Sequence, residues 1–264
     1  MTHDNVMRSR GKVKFRGKWM LPQARQIAQD NELQSGKVIK WKKDLKRYQR
    51  MLDSDRRSRG KTFILAIEDP HAVDALVRNL EDAKKTEDRE IYAQALDNVG
   101  TGPAIDALVK STLEDDDENF RYFCLELLAK EKPASAITPY LVGLKSKDNW
   151  MINRAALGLA TIRDKTTVEP LIDSLITQHK YKLGKDNPGA TTYGFGSSSN
   201  GSQGTSFSQG SKATIVVRNH RNEQVLSALV ELTGEDFHYD VASWKSWYAT
   251  QKPATPKFNS RRDD

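Results

Sequence analysis

The sequence predicts an all-α chain of about five stacked helical hairpins, and three observations carry that prediction. One apolar signature recurs four times, as Val73-Asp74-Ala75-Leu76, Ile105-Asp106-Ala107-Leu108, Ile137-Thr138-Pro139-Tyr140-Leu141 and Val168-Glu169-Pro170-Leu171. The copies start 32, 32 and 31 residues apart, a period typical of units that cannot bury an apolar face alone and therefore stack. Each copy also continues about two turns on with Leu80, Leu113, Leu144 or Leu175, which makes the signature one stripe of an amphipathic helix. Between the signatures runs a second helical stripe: Ile91, Ala95, Leu96 and Val99, then Phe120, Cys124, Leu127 and Leu128, then Ile152, Ala156, Leu157 and Leu159.

The N-terminal arm, residues 1–53, holds the basic character of the chain. Up to Gly60 there are 17 Lys or Arg against 6 Asp or Glu, a balance of +11, and the remainder carries 25 against 29, a balance of −4. Gly11 to Met20 alternates apolar and basic residues like a small exposed strand, and a helix-like run follows Pro22. A second run, Val38 to Leu52, sets Val38, Trp41, Leu45, Tyr48 and Leu52 on one face and Lys42, Lys43, Lys46, Arg47 and Arg50 elsewhere, which predicts a basic amphipathic helix.

Residues 54–177 carry the repeats. Asp69-Pro70, Gly100-Thr101-Gly102-Pro103 and Lys132-Pro133 punctuate the approach to the signature helices, because proline suits a first helical turn and disfavours a helix interior. A first helix with small residues, as in Arg154-Ala155-Ala156-Leu157-Gly158-Leu159, a turn, and a Val-x-x-Leu-x-x-x-Leu second helix resemble HEAT-like repeats of the short bacterial kind also found in phycobilisome lyases. The resemblance runs from about Ser54 to Tyr248. It implies a right-handed α-solenoid whose signature helices form a concave, partner-facing surface, and it implies no lyase activity.

Residues 178–220 interrupt the period. His179-Lys180-Tyr181-Lys182-Leu183 and Ala213-Thr214-Ile215-Val216-Val217-Arg218 are β-prone, while Gly184 to Gly210 is rich in Gly and Ser. This predicts an inserted antiparallel hairpin with a long mobile loop. The helical pattern returns over 221–250 as a capping repeat, with Val225, Leu226, Leu229, Val230 and Leu232, a helix-ending Gly234, a capping Asp240 and an aromatic stripe of Trp244, Trp247 and Tyr248. This ending looks like the closing unit of the same bacterial proteins. Residues 251–264, with Pro253 and Pro256, read as a disordered tail.

No stretch of about 18 apolar residues predicts a membrane span. Met1 to Arg10 lacks the apolar core of a signal peptide, so the compartment stays open: cytoplasmic, or exported if a leader was removed. The single Cys124 reads as a packing residue. None of His3, His71, His179, His220 and His238 stands at metal-ligand spacing, although His179 and His220 can meet across the hairpin, near Asp236 or Asp240. Glu114 to Glu118 reads as a helix cap rather than a Ca²⁺ site. The sequence therefore predicts no catalytic residue, metal or cofactor.

Two functional readings lead, with a chromophore lyase or its non-catalytic relative as a third behind them. The first is a non-enzymatic scaffold that binds another protein through the concave face and inserted loop, with Arg78 and Lys110 on successive signature helices, Tyr193 and Phe195 in the loop, and Trp19 and Trp41 in the arm as candidate partner-binding residues. The second is a nucleic-acid-binding repeat protein, DNA-glycosylase-like, led by the basic arm. Against the second, the Arg78–Lys110 row is followed one period later by Val142, and Trp19, Trp41 and Tyr48 also read as a cap on the first repeat.

Overall fold

The computed structural model describes residues 3–183, 187–197, 203–211 and 214–251. Among these lie twelve α-helices and three two-stranded antiparallel sheets, so the chain is predominantly helical. They fall into two compact units, one within Met1–Tyr140 and Thr161–Arg163, the other within Leu141–Ala160 and Asp164–Asp264.

The first unit opens with α1 (His3–Ser9), a helix too short to show a period in the sequence. The alternating segment after it is a hairpin rather than the expected single strand: β1 (Val13–Phe15) pairs with β2 (Lys18–Met20), Lys14 opposite Trp19. Arg16 and Gly17 both take positive φ, 44° and 82°, the geometry of a tight two-residue turn that suits the twist of paired strands. A single helix, α2 (Pro22–Leu52), replaces the two expected runs. Gly36 between them costs about 1 kcal/mol and does not stop a helix. The expected apolar face holds: Leu45 and Leu52 are buried, and Val38, Trp41 and Tyr48 are half-buried.

Against α2 packs α3 (Arg57–Leu65), with the Tyr48 and Phe63 rings 5.2 Å apart. Gly60 permits this approach, because a Cβ there would lie 2.9 Å from Met51 Cβ and 3.1 Å from the Tyr48 carbonyl. Two hairpins follow: α4 (Val73–Asp82) with α5 (Thr86–Val99), and α6 (Gly102–Glu114) with α7 (Glu118–Glu131). The 3₁₀ turn Pro70–Ala72 leads into α4, and α5 ends at Gly100 in the left-handed conformation. Asp117 caps α7 by accepting from the Asn119 and Phe120 amides, the role expected of the acidic block.

The third signature corrects the sequence reading. In α8 (Ile137–Gly143) the residue three after Ile137 is the one fully buried, so Tyr140 occupies the position that Leu76 and Leu108 fill in their copies, and Leu141 is half-buried. Thr112 in α6 explains the exchange. Its hydroxyl donates to the Val109 carbonyl at 2.7 Å, which leaves its oxygen free to accept from Tyr140 Oη at 2.8 Å.

In the second unit, α9 (Asn149–Ile162) buries Ile152, Ala156 and Leu159. The 3₁₀ turn Lys165–Thr167 leads into α10 (Val168–Ser174), whose Val168 and Leu171 are buried. The insertion then begins at once: β3 (Ile176–Leu183) pairs antiparallel with β6 (Thr214–Arg221), in the register Thr177 to His220 and Leu183 to Thr214. Between them the sequence predicted a mobile Gly/Ser loop, but β4 (Asn187–Ser197) and β5 (Gln203–Ser211) form a second antiparallel pair. Thr191, Tyr193, Phe195, Thr205 and Phe207 supply β-branched and aromatic residues at alternate positions, a period-2 signal that the Gly/Ser composition masks.

The chain closes with α11 (Glu223–Thr233), capped by Gly234 at φ 79°, and α12 (Val241–Gln251), capped by Asp240. Trp244 is fully buried, its Nε1 donating to the His238 carbonyl at 2.9 Å and its ring edge-on to Phe237 at 5.0 Å. This helix packs with α10. The expected tail, residues 251–264, lies outside the described residues apart from Gln251.

Replacing Tyr140 by Phe leaves Thr112 without its donor and costs about 1 kcal/mol, whereas Tyr140→Ala opens a cavity and costs about 3–5 kcal/mol. Urea titration of both variants measures the two values, and equal losses would show that the hydroxyl, rather than the ring, holds this junction.

Candidate functional site

Each signature helix buries one stripe and leaves its other face open. In the first unit the open faces of α4 and α6 read acid, base, acid: Asp74, Arg78 and Glu81 on one, Asp106, Lys110 and Glu114 on the other. This order follows from helical spacing, since residues three and four apart share a face. Between the two helices runs a groove of about 460 Å³. Val77, Leu80, Ala83 and Ala107 give it an apolar floor, and Glu81, Asp106, Lys110 and Glu114 give it a charged rim. Lys110 Nζ lies 3.0 Å from Glu81 Oε1, and that hydrogen bond raises the lysine pKa. One end is closed by Arg89, ion-paired to Asp115 and stacked over the Phe120 ring at 4.0 Å.

The second unit holds a groove of the same kind, about 650 Å³, beside α10. Leu141, Leu144 and Pro170 line it with Lys145, Glu169 and Asp173. Here Asp173 stands where α4 has Arg78 and α6 has Lys110, and its carboxylate meets Lys245 of α12 at 2.7 Å.

The six candidate residues do not converge. Arg78 and Lys110 are both exposed on the open face. Trp41 points inward: Nε1 donates to Asp69 Oδ2 at 2.8 Å, which ties α2 to the turn before α4. Trp19 is half-buried on the β1–β2 hairpin, under the Lys14 ammonium at 5.7 Å. Tyr193 and Phe195 belong to β4, where they pair with Phe207 and Thr205, and their side chains lie outside the described ones.

Sequence reading missed the cluster around Asp69. Its carboxylate accepts from Trp41 Nε1, from the His71 amide at 3.0 Å and from His71 Nδ1 at 2.6 Å, and the far ring nitrogen of His71 meets Gln34 Oε1. These donors, Trp41 first, hold the Asp69 pKa well below the usual carboxylate range. The available signal was position, since Asp69 stands four residues before its signature as Asp164 does before Val168. Both side chains accept an amide of the following 3₁₀ turn.

His179 and His220 do approach, with ring centroids 6.3 Å apart, edge to face. His179 Nε2 is 2.9 Å from Asn149 Oδ1, while Asp236 pairs with His238 and Asp240 caps α12. Among the described residues no group of three or more His, Cys, Asp or Glu is placed to hold a metal. Cys124 is buried in α7, and burial pushes its thiol pKa up to about 12. No described helix is long and apolar enough to cross a membrane. The sequence matches no protein-family model and no curated protein.

Two outcomes follow from the electrostatics. Because the folded-state pKa of Asp69 lies below its unfolded value of about 3.9, its contribution to stability is complete above that pH and is lost progressively as pH falls from there to the folded-state pKa. Asp69→Asn therefore costs about 1 kcal/mol at pH 7, and chemical denaturation at a series of pH values shows the gap from the parent chain narrowing below about pH 4. Cys124, burial holding its thiol protonated, resists iodoacetamide at pH 8 in the native chain and reacts once urea unfolds it, as mass spectrometry registers; rapid native alkylation would contradict its burial.

Proposed function

We propose that this chain is a HEAT-like α-solenoid that acts as a non-enzymatic protein-interaction scaffold, with the open face of its signature helices as the binding surface. The observation that supports this reading is the repeated groove. The same construction, an apolar floor between charged rims, occurs beside α4 and α6 and again beside α10. A stack of hairpins produces such grooves once per repeat, and a partner segment that crosses them gains apolar burial in the floor and orientation from the rim.

Electrostatics narrows the partner. With Lys110 held by Glu81 and Arg89 by Asp115, Asp106 and Glu114 remain on the α4–α6 rim as carboxylates with no ion pair among the described residues. A segment carrying Lys or Arg beside an aliphatic side chain matches that surface, and an acidic segment is repelled. The inserted strands extend from the end of α10, beside the second groove. They supply a further surface on which the same partner can rest.

A photo-crosslinking amino acid placed at Lys110, and another at Tyr122 on the exposed side of α7 as a control, tests the reading in the native host cell. Capture of one protein species from position 110 and not from 122, abolished by Asp106→Arg with Glu114→Arg, is the expected result. Equal capture at both positions, or capture that survives the charge reversal, would remove the signature face as the binding surface.

A further inference from the structure

The outer side of α2 is a second surface, built unlike the first. Its buried stripe runs through Val38, Trp41, Leu45, Tyr48 and Leu52, and at 100° per residue the opposite side of the helix is defined by Lys40, Lys43, Lys46, Arg47 and Arg50. All five are exposed. Arg47 lies 3.7 Å from Asp44 and stacks on Tyr48, whereas Lys40, Lys43, Lys46 and Arg50 have no acidic partner among the described residues. Four unneutralised cations thus line about 15 Å of rigid helix.

What such a ridge can hold follows from what it lacks. Insertion into a lipid surface needs a free apolar face beside the cations, and over residues 38–52 the apolar stripe of α2 is spent on α3, α4 and the Asp69 turn, the exposed Ile27 and Leu33 lying outside the ridge. A protein partner draws most of its binding energy from aromatic or aliphatic anchors, and Ile39 is the one large apolar side chain exposed between Lys37 and Arg50. Single-stranded nucleic acid binds through base stacking on aromatic rings, but Trp41 and Tyr48 face inward. A duplex phosphate backbone requires none of these. It requires regularly spaced positive charge and nothing else, because its affinity comes from counterion release.

We infer that the Lys40–Lys43–Lys46–Arg50 ridge of α2 is a sequence-independent contact site for the phosphate backbone of double-stranded nucleic acid. This site is separate from the signature face, so the chain joins a protein-binding surface to a duplex-binding one. The acidic balance of −4 beyond Gly60 keeps the duplex on α2 and away from the grooves.

Fluorescence anisotropy of the full chain with a 30-base-pair duplex of random sequence, read from about 50 to 200 mM salt, tests the site. Four phosphate contacts predict a slope of log K against log salt near −3.6, a weakening of about 100-fold across that range. In Lys43→Gln with Lys46→Gln and Arg50→Gln the slope falls to about −1 and the weakening to about fourfold. Lys147→Gln with Lys165→Gln, exposed positions on the other unit, leaves the slope unchanged, and matched thermal unfolding shows that both variants fold. No binding at 50 mM salt overturns the inference, as does a slope that survives the triple substitution or a preference for anionic vesicles or an acidic protein over the duplex. These outcomes leave the crosslinking result at position 110 untouched, so the two readings fail separately.

Discussion

No hairpin of this chain can cover its own apolar face, and everything else in the described structure answers to that constraint. Leu76, Leu108, Tyr140 and Leu171 stand at the same place in the four signatures, and each is fully buried. Burial of one such side chain is worth about 1.5–3 kcal/mol, and it is realised by helices packed alongside. The same requirement shapes α2 and α12. The helix α2 brings Leu45 and Leu52 to α3 and α4 and turns its cations outward, and α12 brings Trp244 to α10.

How far the sequence could be read depends on the range of the signal. Apolar residues at helical spacing placed the helices from Val73 to Gln251, because burial and period are the same fact seen twice. Asp117, Asp240 and Gly234 were legible as caps, because unpaired amides and carbonyls at helix ends make local demands. Tyr140 was not: its place in the Leu position depends on Thr112, a residue 28 positions earlier that offers an oxygen. The β4–β5 pair escaped for a related reason, since strand pairing is a contact between distant segments and the Gly/Ser composition suppressed the local signal. At the surface the six candidate residues were chosen by type. Trp41 shows the weakness of that choice, for an aromatic residue in a basic arm became a donor to Asp69.

The distribution of charge is not incidental to the fold. Cations on the repeats are largely paired where they meet acids, as Arg57 with Asp88, Arg89 with Asp115 and Lys110 with Glu81. On the outer side of α2 only Arg47 has an acidic partner among the described residues, Asp44 of the same helix. Charge left over by packing is charge available to solution.

The base of the insertion carries one more consequence. Asn222 joins its entry and exit: the backbone amide donates to the Leu175 carbonyl at 3.1 Å and the side-chain amide to the Ser174 carbonyl at 2.8 Å. The helices α10 and α11 therefore meet through Asn222 whatever the strands beyond do. Lengthening a loop whose ends are already pinned costs only about 0.6 kcal/mol per doubling. Beyond His179, whose ring meets Asn149, the segment up to Arg221 is thus a replaceable cassette, whose length and composition can change at little cost to the helices it joins.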